Sequence, residues 1–348
     1  MKAGILTFHQ ADSYGALLQA LALQRTVGKL GADSEFITVT EDRRSDGPEP
    51  VAAGPGAIFA KRIMEEGAAR ARLFEGFRKE HLKCAPPCSK SGLRLEADKY
   101  DLFIAGSDQI WNFRIPGADE RYFLTFAPPE KRFSYAASFG SEDIPEKAKS
   151  WCAEQLSAFS GLSVREESGR KIIKDLTGRE AEVSLDPTLL LDETKWAELA
   201  TCPEEKPYFL LFMLKFDPVL LARAKKASAE SGCRLRTVSA AFMPQLGFGS
   251  WSGVSVEDWI GLIAGSSGVF TNSFHGTVFS LLFGRPVSVA LLGGELSGRN
   301  GRITELLSLA GAEDALNGSL VTIPEGGFSK RISAEKERSL AYLKEILV

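Results

Sequence analysis

Short apolar runs and longer amphipathic segments alternate along most of the chain. Residues 4–8, 35–40, 101–105 and 208–214 have the length and the turn-rich flanks of buried strands. Between such runs lie segments with helical spacing, as in residues 16–30, where Leu17, Leu21, Val27 and Leu30 fall on one face. Strands that alternate with helices predict an α/β fold with mostly parallel sheets covered by helices on both faces.

The same alternation occurs on both sides of a charged, proline-containing segment at residues 191–206. We therefore predict two α/β domains, at residues 1–190 and 191–333, around a central cleft. Residues 334–348 form an amphipathic helix, which we expect to pack back on the N-terminal domain. Residues 42–57 are polar and rich in Gly and Pro, and predict a loop.

Composition narrows the class of protein. The chain has 348 residues, of which 44% are hydrophobic and 25% charged, as in soluble globular proteins. A net charge of −3 argues against a nucleic-acid partner, which usually requires a basic face. The N-terminus lacks a signal-peptide pattern and no apolar run approaches the ~20 residues of a membrane span. We expect a cytoplasmic protein, which could act at the inner face of the membrane.

One cysteine pair has short spacing, Cys84 and Cys88 in a C-x3-C arrangement. A zinc site usually needs a second such pair, and none follows. We expect reduced thiols and no metal site.

Polar segments directly follow several predicted strands, where parallel sheets bind their ligands. In TNSFHG, at residues 271–276, the helix N-terminus suits an anion and His275 can transfer a proton near neutral pH. An isolated histidine is more often a core residue, but the strand-to-helix position favours catalysis here. We expect its neighbours to bind substrate: Asn272, Ser273, Phe274, Gly276 and Thr277.

Two further segments offer hydrogen-bonding groups in the N-terminal domain. In GSDQIWN, Asp108 could bind or deprotonate a hydroxyl, or the loop could simply cap the next element. The expected substrate-binding residues in these segments are Ser107, Gln109 and Asn112, and His9, Asp12, Tyr14 and Gly15 in HQADSYG. The second segment lacks the G-x-G-x-x-G fingerprint of a dinucleotide site.

Three arginines are candidate anion ligands. Arg165 follows a strand in SVREESG, and Arg299 and Arg302 lie in SGRNGRI. A guanidinium matches carboxylate and phosphate, although a surface ion pair is the ordinary role of any single arginine. The chain contains no P-loop, no G-x-S-x-G elbow and no H-E-x-x-H motif.

Together these segments resemble the polysaccharide pyruvyl transferase family. The matching strings run in order over residues 3–307 and include SLDPTLLL and TNSFHGTVFSLLFGRPV. The resemblance implies two Rossmann-like domains in a glycosyltransferase-B-like arrangement, with the acceptor bound by residues 1–190 and phosphoenolpyruvate by residues 191–333. It also implies transfer of the enolpyruvyl unit of phosphoenolpyruvate to a sugar, with ketal formation and phosphate release. The acceptor would be a saccharide, lipid-linked or not, and no cofactor is implied.

The resemblance also implies residue roles. His275 corresponds to the family's acid or base, and Arg165 to an arginine that holds phosphoenolpyruvate. Some members have a second arginine two positions before the histidine, where this chain has Ser273. Either Ser273 and the helix N-terminus replace that anchor, or Arg299 or Arg302 supplies the charge.

Two alternatives are open at this point. A nucleotide-sugar-dependent glycosyltransferase would use the same two-domain cleft. A non-catalytic binding protein of the same fold would fit the Ser273 departure.

Overall fold

The computed structural model describes residues 1–40, 55–115, 119–201, 207–294, 298, 300–324 and 326–348. The first half of the chain builds a parallel sheet in the order β2-β1-β3-β4. Its strands are β1 (Lys2–Leu6), β2 (Asp33–Phe36), β3 (Leu102–Ala105) and β4 (Arg132–Ser134). Bridges from Phe133 to Gly161 and from Ala137 to Val164 extend it to the parallel pair β5 (Ser163–Val164) and β6 (Glu182–Val183).

Helices connect these strands and cover the sheet. They are α1 (Tyr14–Lys29), α2 (Pro55–His81), α3 (Leu93–Glu96), α4 (Glu146–Ser157) and α5 (Glu167–Thr177). The chain then forms the short helix α6 (Glu193–Ala197), inside the segment predicted as a domain boundary. Residues 202–206 of that segment lie outside the described residues, as do residues 41–54, which hold most of the predicted 42–57 loop.

The second half builds another parallel sheet in the order β10-β9-β7-β8. Its strands are β7 (Tyr208–Met213), β8 (Arg234–Ser239), β9 (Gly268–Thr271) and β10 (Val287–Val289). The helices are α7 (Pro218–Ser231), α8 (Val256–Ala264), α9 (Phe274–Leu282), α10 (Gly301–Ala310), α11 (Gly327–Arg331) and α12 (Ser333–Ile346). Two sheets of parallel strands connected by helices confirm the predicted α/β class.

Local sequence explains where these helices begin. Ser255 and Asp258 form a reciprocal capping box at the start of α8. Asp217 accepts hydrogen bonds from the backbone N–H groups of Val219 and Leu220, and Pro218 occupies the first turn of α7. The Ser273 side chain caps α9, which therefore starts at Phe274.

The terminal helix α12 contacts the first sheet. Tyr342 Oη donates to the carbonyl of Ser134 at 2.9 Å, and the Leu185 N–H donates to Ser339 Oγ at 2.9 Å. Leu343 of α12 is fully buried in a core cluster that also contains residues of α1 and β9. Among the described residues, no helix is both long and apolar enough to cross a membrane.

Candidate active site

Four strand ends from the two sheets supply the charged groups of one buried cluster. Asp108 follows β3, Arg165 follows β5, Asp186 follows β6, and His275 lies in the first turn of α9, after β9. Because ligand sites of parallel sheets lie beyond the carboxyl ends of the strands, this convergence marks the candidate site. It joins residues far apart in the sequence, including Asp186, to which no sequence motif points.

Asp186 is the centre of the cluster and is fully buried. Its Oδ2 accepts a hydrogen bond from Arg165 Nη1 at 2.7 Å and lies 3.5 Å from His275 Nε2. Its Oδ1 accepts from the backbone N–H and the hydroxyl of Thr188, at 3.0 and 2.7 Å. Burial would raise the pKa of the Asp186 carboxyl, but the charges of His275 and Arg165 and these hydrogen bonds outweigh it and hold the pKa well below its usual range.

Arg165 lies among three carboxylates. Besides Asp186, Glu166 Oε2 is 3.7 Å from its Nε and Asp108 Oδ1 is 3.7 Å from its Nη2. Burial would lower the pKa of Arg165, but the negative charges of these neighbours outweigh that effect and raise it. The guanidinium therefore carries a permanent positive charge in a buried site.

Several polar atoms of this cluster have no hydrogen-bond partner among the described residues, although they are buried. They are Nε and Nη2 of Arg165, Oε2 of Glu166 and Nε2 of His275. Buried polar groups are almost always satisfied in native proteins. Four such atoms on three neighbouring residues are the expected state of a site that binds a polar ligand.

Glu166 is held by the loop after β4. Its Oε1 accepts from Ser138 Oγ at 2.5 Å, which leaves Oε2 as the open oxygen. Glu305 of α10 lies close enough to sense that charge: burial and the negative charge of Glu166 raise the pKa of Glu305 to about 7. A further carboxyl group therefore titrates near neutral pH beside the cluster.

Phe274 places a second arginine beside the first. The Arg165 guanidinium lies 5.0 Å from the centre of the Phe274 ring, and the Arg302 guanidinium lies 5.3 Å from it. Arg302 is buried in the first turn of α10. Some family members have an arginine at the position of Ser273. Among the described residues, Arg302 can supply the positive charge of that arginine. Arg299 lies outside the described residues.

Gly15 fixes the position of the His275 ring. A Cβ atom at Gly15 would lie 2.0 Å from His275 Nδ1, so only glycine allows this approach of α1 to the imidazole. The segment HQADSYG therefore reaches the site through its backbone.

The backbone of Asp108 lies in the left-handed region, with a φ of 69°. Its Oδ1 accepts a hydrogen bond from the Gln109 N–H at 2.8 Å. Asparagine and aspartate adopt this conformation more easily than most residues because their side chains can form such local hydrogen bonds.

The other predicted residues of TNSFHG bond within the protein. Asn272 bridges the Leu214 N–H and the Lys215 carbonyl, which holds the end of β7. Ser273 Oγ accepts from the Gly276 N–H, and Thr277 Oγ1 donates to the Ser273 carbonyl. These residues position the first turn of α9 and use their side chains to do so.

The remaining predicted residues are also engaged with protein groups. Each of the following makes at least one hydrogen bond: Ser107 to the Ala136 carbonyl, Asn112 to Gln109, Tyr14 to the Val254 carbonyl, Asp12 to Arg78, and His9 to the Thr7 carbonyl and the Thr38 hydroxyl. His9 is stacked on Phe36, and burial lowers its pKa to about 4. Its contacts are those of a core histidine.

The cysteine pair lies along the edge of the first sheet, where Cys84 bridges to Phe36 and Cys88 to Val39. Burial raises the pKa of the Cys84 thiol to about 11, which opposes the thiolate that a metal would need. Elsewhere, Glu80, His81 and Glu257 could approach one cation. His81 Nε2 lies 3.3 Å from Glu257 Oε1 and pairs α2 with α8.

A family model of polysaccharide pyruvyl transferases matches residues 14–289, which include every residue of the cluster except those on α10. The chain belongs to the polysaccharide pyruvyl transferase family. Family membership makes it a transferase that acts on a saccharide. The chain has no match among curated proteins.

Solved structures with similar folds cover nearly the whole chain. The glycosyltransferase SnogD from Streptomyces nogalater is 14% identical, with a TM-score of 0.39 over 100% of this chain and 94% of that chain. UDP-GlcNAc 2-epimerase from Methanocaldococcus jannaschii is 12% identical, with a TM-score of 0.48 over 98% and 100%. The E. coli ADP-heptose lps heptosyltransferase II is 12% identical, with a TM-score of 0.37 over 98% and 99%. At these identities the likeness concerns the fold alone.

Proposed function

We propose that this family member transfers the enolpyruvyl unit of phosphoenolpyruvate to a saccharide of a surface polysaccharide or its precursor, forms a pyruvate ketal and releases phosphate. The observation that carries the proposal is the buried cluster in which His275, paired with Asp186, lies beside the Arg165 guanidinium. A proton donor and an anion-binding group are the two functions that this reaction requires.

The donor carries a carboxylate and a phosphate, and the site offers separate positive groups for them. Two guanidinium nitrogens of Arg165, Nε and Nη2, have no hydrogen-bond partner among the described residues. The Arg302 guanidinium contacts the same Phe274 ring as Arg165 does. The first turn of α9 adds backbone N–H groups and the positive end of its dipole. Guanidinium groups bind such anions through paired, charge-assisted hydrogen bonds.

In the proposed reaction His275 donates a proton to C3 of the enolpyruvyl group, and positive charge develops at C2. One acceptor hydroxyl attacks C2 and gives its proton to a carboxylate, either Asp108 or the open oxygen of Glu166. The bond between C2 and the phosphate oxygen then breaks, and the leaving phosphate takes the proton from that carboxylic acid. A second hydroxyl attacks C2, closes the ketal and returns a proton to His275.

Asp186 has a positioning role in this scheme. Its carboxylate lies 3.5 Å from His275 Nε2 and stabilises the protonated imidazole before proton transfer. The same carboxylate orients Arg165 through the 2.7 Å bond to Nη1. General acid catalysis of this kind contributes roughly 10²–10⁴-fold to the rate. Phosphoenolpyruvate acts as donor, and the scheme needs no further cofactor.

The test combines binding with turnover. Calorimetric titration with phosphoenolpyruvate should show binding to the native protein and to His275→Asn. Phosphate release with nucleotide-linked and lipid-linked sugars should occur with the native protein and fall at least 10²-fold in the variant. Binding of nucleoside diphosphates but not of phosphoenolpyruvate would support a glycosyltransferase instead. Equal turnover by the variant would exclude His275 as the acid.

A further inference from the structure

A pocket of about 270 Å³ is lined in part by Ile110, Trp111 and Phe113, which follow Asp108 in the chain. Its aromatic side chains are Trp111 and Phe123, which are buried, and Phe113 and Trp151. The rings contact one another: Phe123 and Trp151 meet edge to face at 4.9 Å, and Trp111 stacks on Phe123 at 5.4 Å. These ring contacts make one wall of the pocket rigid. Phe113 is partly exposed to solvent, so the pocket is open on its side.

Charged side chains line the rim of this aromatic pocket. Lys90 Nζ lies 3.2 Å from Glu120 Oε1 and 3.7 Å from Asp119 Oδ2. Asp119 Oδ1 also accepts a hydrogen bond from Arg121 Nε at 2.7 Å, so two cations balance the two carboxylates. A rim without net charge gives little attraction to a further anion, and its carboxylate oxygens can accept hydrogen bonds from hydroxyl groups.

Two hydrogen bonds link the pocket to the active site. Trp111 is three residues after Asp108, and its backbone N–H donates to the Ser138 carbonyl at 3.2 Å. The hydroxyl of that same Ser138 donates to Glu166. The loop that contains Trp111 is therefore connected through Ser138 to the carboxylate of the active site.

Aromatic faces flanked by carboxylates match the chemistry of a neutral pyranose. The C–H face of a sugar ring packs on an aromatic ring, and its hydroxyls donate to carboxylates at the edge. A volume at the small end of ligand pockets suits a short stretch of sugar. By contrast, a larger depression of about 500 Å³ along α5 contains no aromatic side chain and is lined by charged and polar residues.

We infer that the aromatic pocket binds an uncharged sugar unit of the acceptor chain next to the one that receives pyruvate. The inference rests on the proposed function in taking the bound saccharide as the acceptor. Residues 110–113 would hold the neighbouring unit while Asp108 and Glu166 face the reacting hydroxyls. The pocket then selects acceptors by the identity of the sugar unit next to the one that receives pyruvate.

Neutral trisaccharides of glucose, galactose and mannose are suitable probes, since they need no phosphoenolpyruvate to bind. Saturation-transfer NMR and quenching of tryptophan fluorescence should detect binding of at least one of them to the full chain. Phe113→Ala should weaken that binding about tenfold, because it removes one stacking ring. Leu95→Ala, which removes an exposed apolar side chain of α3 outside the pocket, is the matched control and should leave it unchanged.

Phosphoenolpyruvate titration of the same variants separates the two proposals. Native donor affinity in Phe113→Ala, together with lost trisaccharide binding, supports the pocket as an acceptor subsite. Trisaccharide binding without any phosphoenolpyruvate binding would count against the proposed donor and leave the pocket assignment standing. Failure of every trisaccharide to bind, equal affinity in Phe113→Ala, or competition between trisaccharide and phosphoenolpyruvate would overturn the inference.

Discussion

At the scale of single residues, the site depends on the carboxylate of Asp186, whose sequence context does not predict a functional role. Asp186 occurs in SLDPTLLL, where an aspartate before proline is equally typical of a turn. His275 and Arg165 could be predicted because each follows a strand and has a chemistry suited to an anion. The role of Asp186 depends on distances of 2.7 and 3.5 Å to residues 21 and 89 positions away, which no local pattern encodes.

Replacement of Asp186 tests this residue-scale account. Asp186→Asn keeps the volume and an oxygen for the Thr188 bonds but removes the charge that faces His275 and Arg165. We expect kcat to fall roughly 10²-fold or more, since a protonated His275 loses its stabilising partner. Phosphate release in the steady state, with the phosphoenolpyruvate KM measured alongside, checks this.

Thr188→Val is the matched control, because it removes one hydroxyl bond to Asp186 and keeps the carboxylate. It should lower kcat less than Asp186→Asn does. Native kcat in Asp186→Asn would show that the His275–Asp186 contact has only a structural role.

At the scale of elements, periodicity predicts the strands and helices well and their ends less well. Strand β4, for example, ends at Ser134. Residues 135–137 are apolar and buried as a strand would be, but Ala136 has a φ of 46° and the chain turns there. The turn brings Ala137 between Asp108 and Val164, so a departure from the regular strand helps to assemble the site.

Helix α1 offers a test of how one element positions another. Gly15→Ala would place a methyl group 2.0 Å from His275 Nδ1, so the imidazole must move. We expect a loss of turnover of about 10²-fold, because small displacements of a catalytic group are costly. Circular dichroism should show a folded protein, and phosphate release should show the loss.

Gly28→Ala in the same helix is the control. A Cβ atom there would meet nothing within 4 Å, and Gly28 is exposed near the end of α1. This substitution should keep turnover and raise the free energy of unfolding by about 0.5–1 kcal/mol through helix propensity. If both variants kept native turnover, Gly15 would not position His275.

At the scale of the whole molecule, one core connects the two halves. Tyr14 of α1 stacks on Trp259 of α8 with ring centres 5.1 Å apart, and its hydroxyl donates to the Val254 carbonyl. The buried Arg70 of α2 donates to Tyr14 Oη and to the Trp251 carbonyl. The sequence predicts two units. The contacts that join them connect residues some hundreds of positions apart and produce no periodic pattern in the sequence, so this junction between the two halves could not be predicted.

His9 should make the stability of the whole molecule depend on pH. Burial lowers its pKa to about 4, against about 6.5 in the unfolded chain. The unfolded state therefore binds a proton first as the pH falls. The neutral, buried imidazole makes its full contribution to the free energy of unfolding above about pH 6.5. That contribution is lost as the pH falls from about 6.5 to about 4, and the total loss is roughly 3 kcal/mol.

Denaturant unfolding at pH 7, 6, 5 and 4 measures this dependence. The native protein should lose more stability over this range than His9→Gln, which has no group that titrates at this position. Parallel pH dependences of the two proteins would show that His9 is not held neutral in the core.

The central claim is that His275 delivers a proton to C3 of the enolpyruvyl group while the saccharide attacks C2. Turnover in D₂O tests it most directly, with mass spectrometry and proton NMR of the modified saccharide. We expect a ketal whose methyl group carries one deuterium, and no such product from His275→Asn. A product methyl group without deuterium, or phosphate release with an unmodified saccharide, would contradict it.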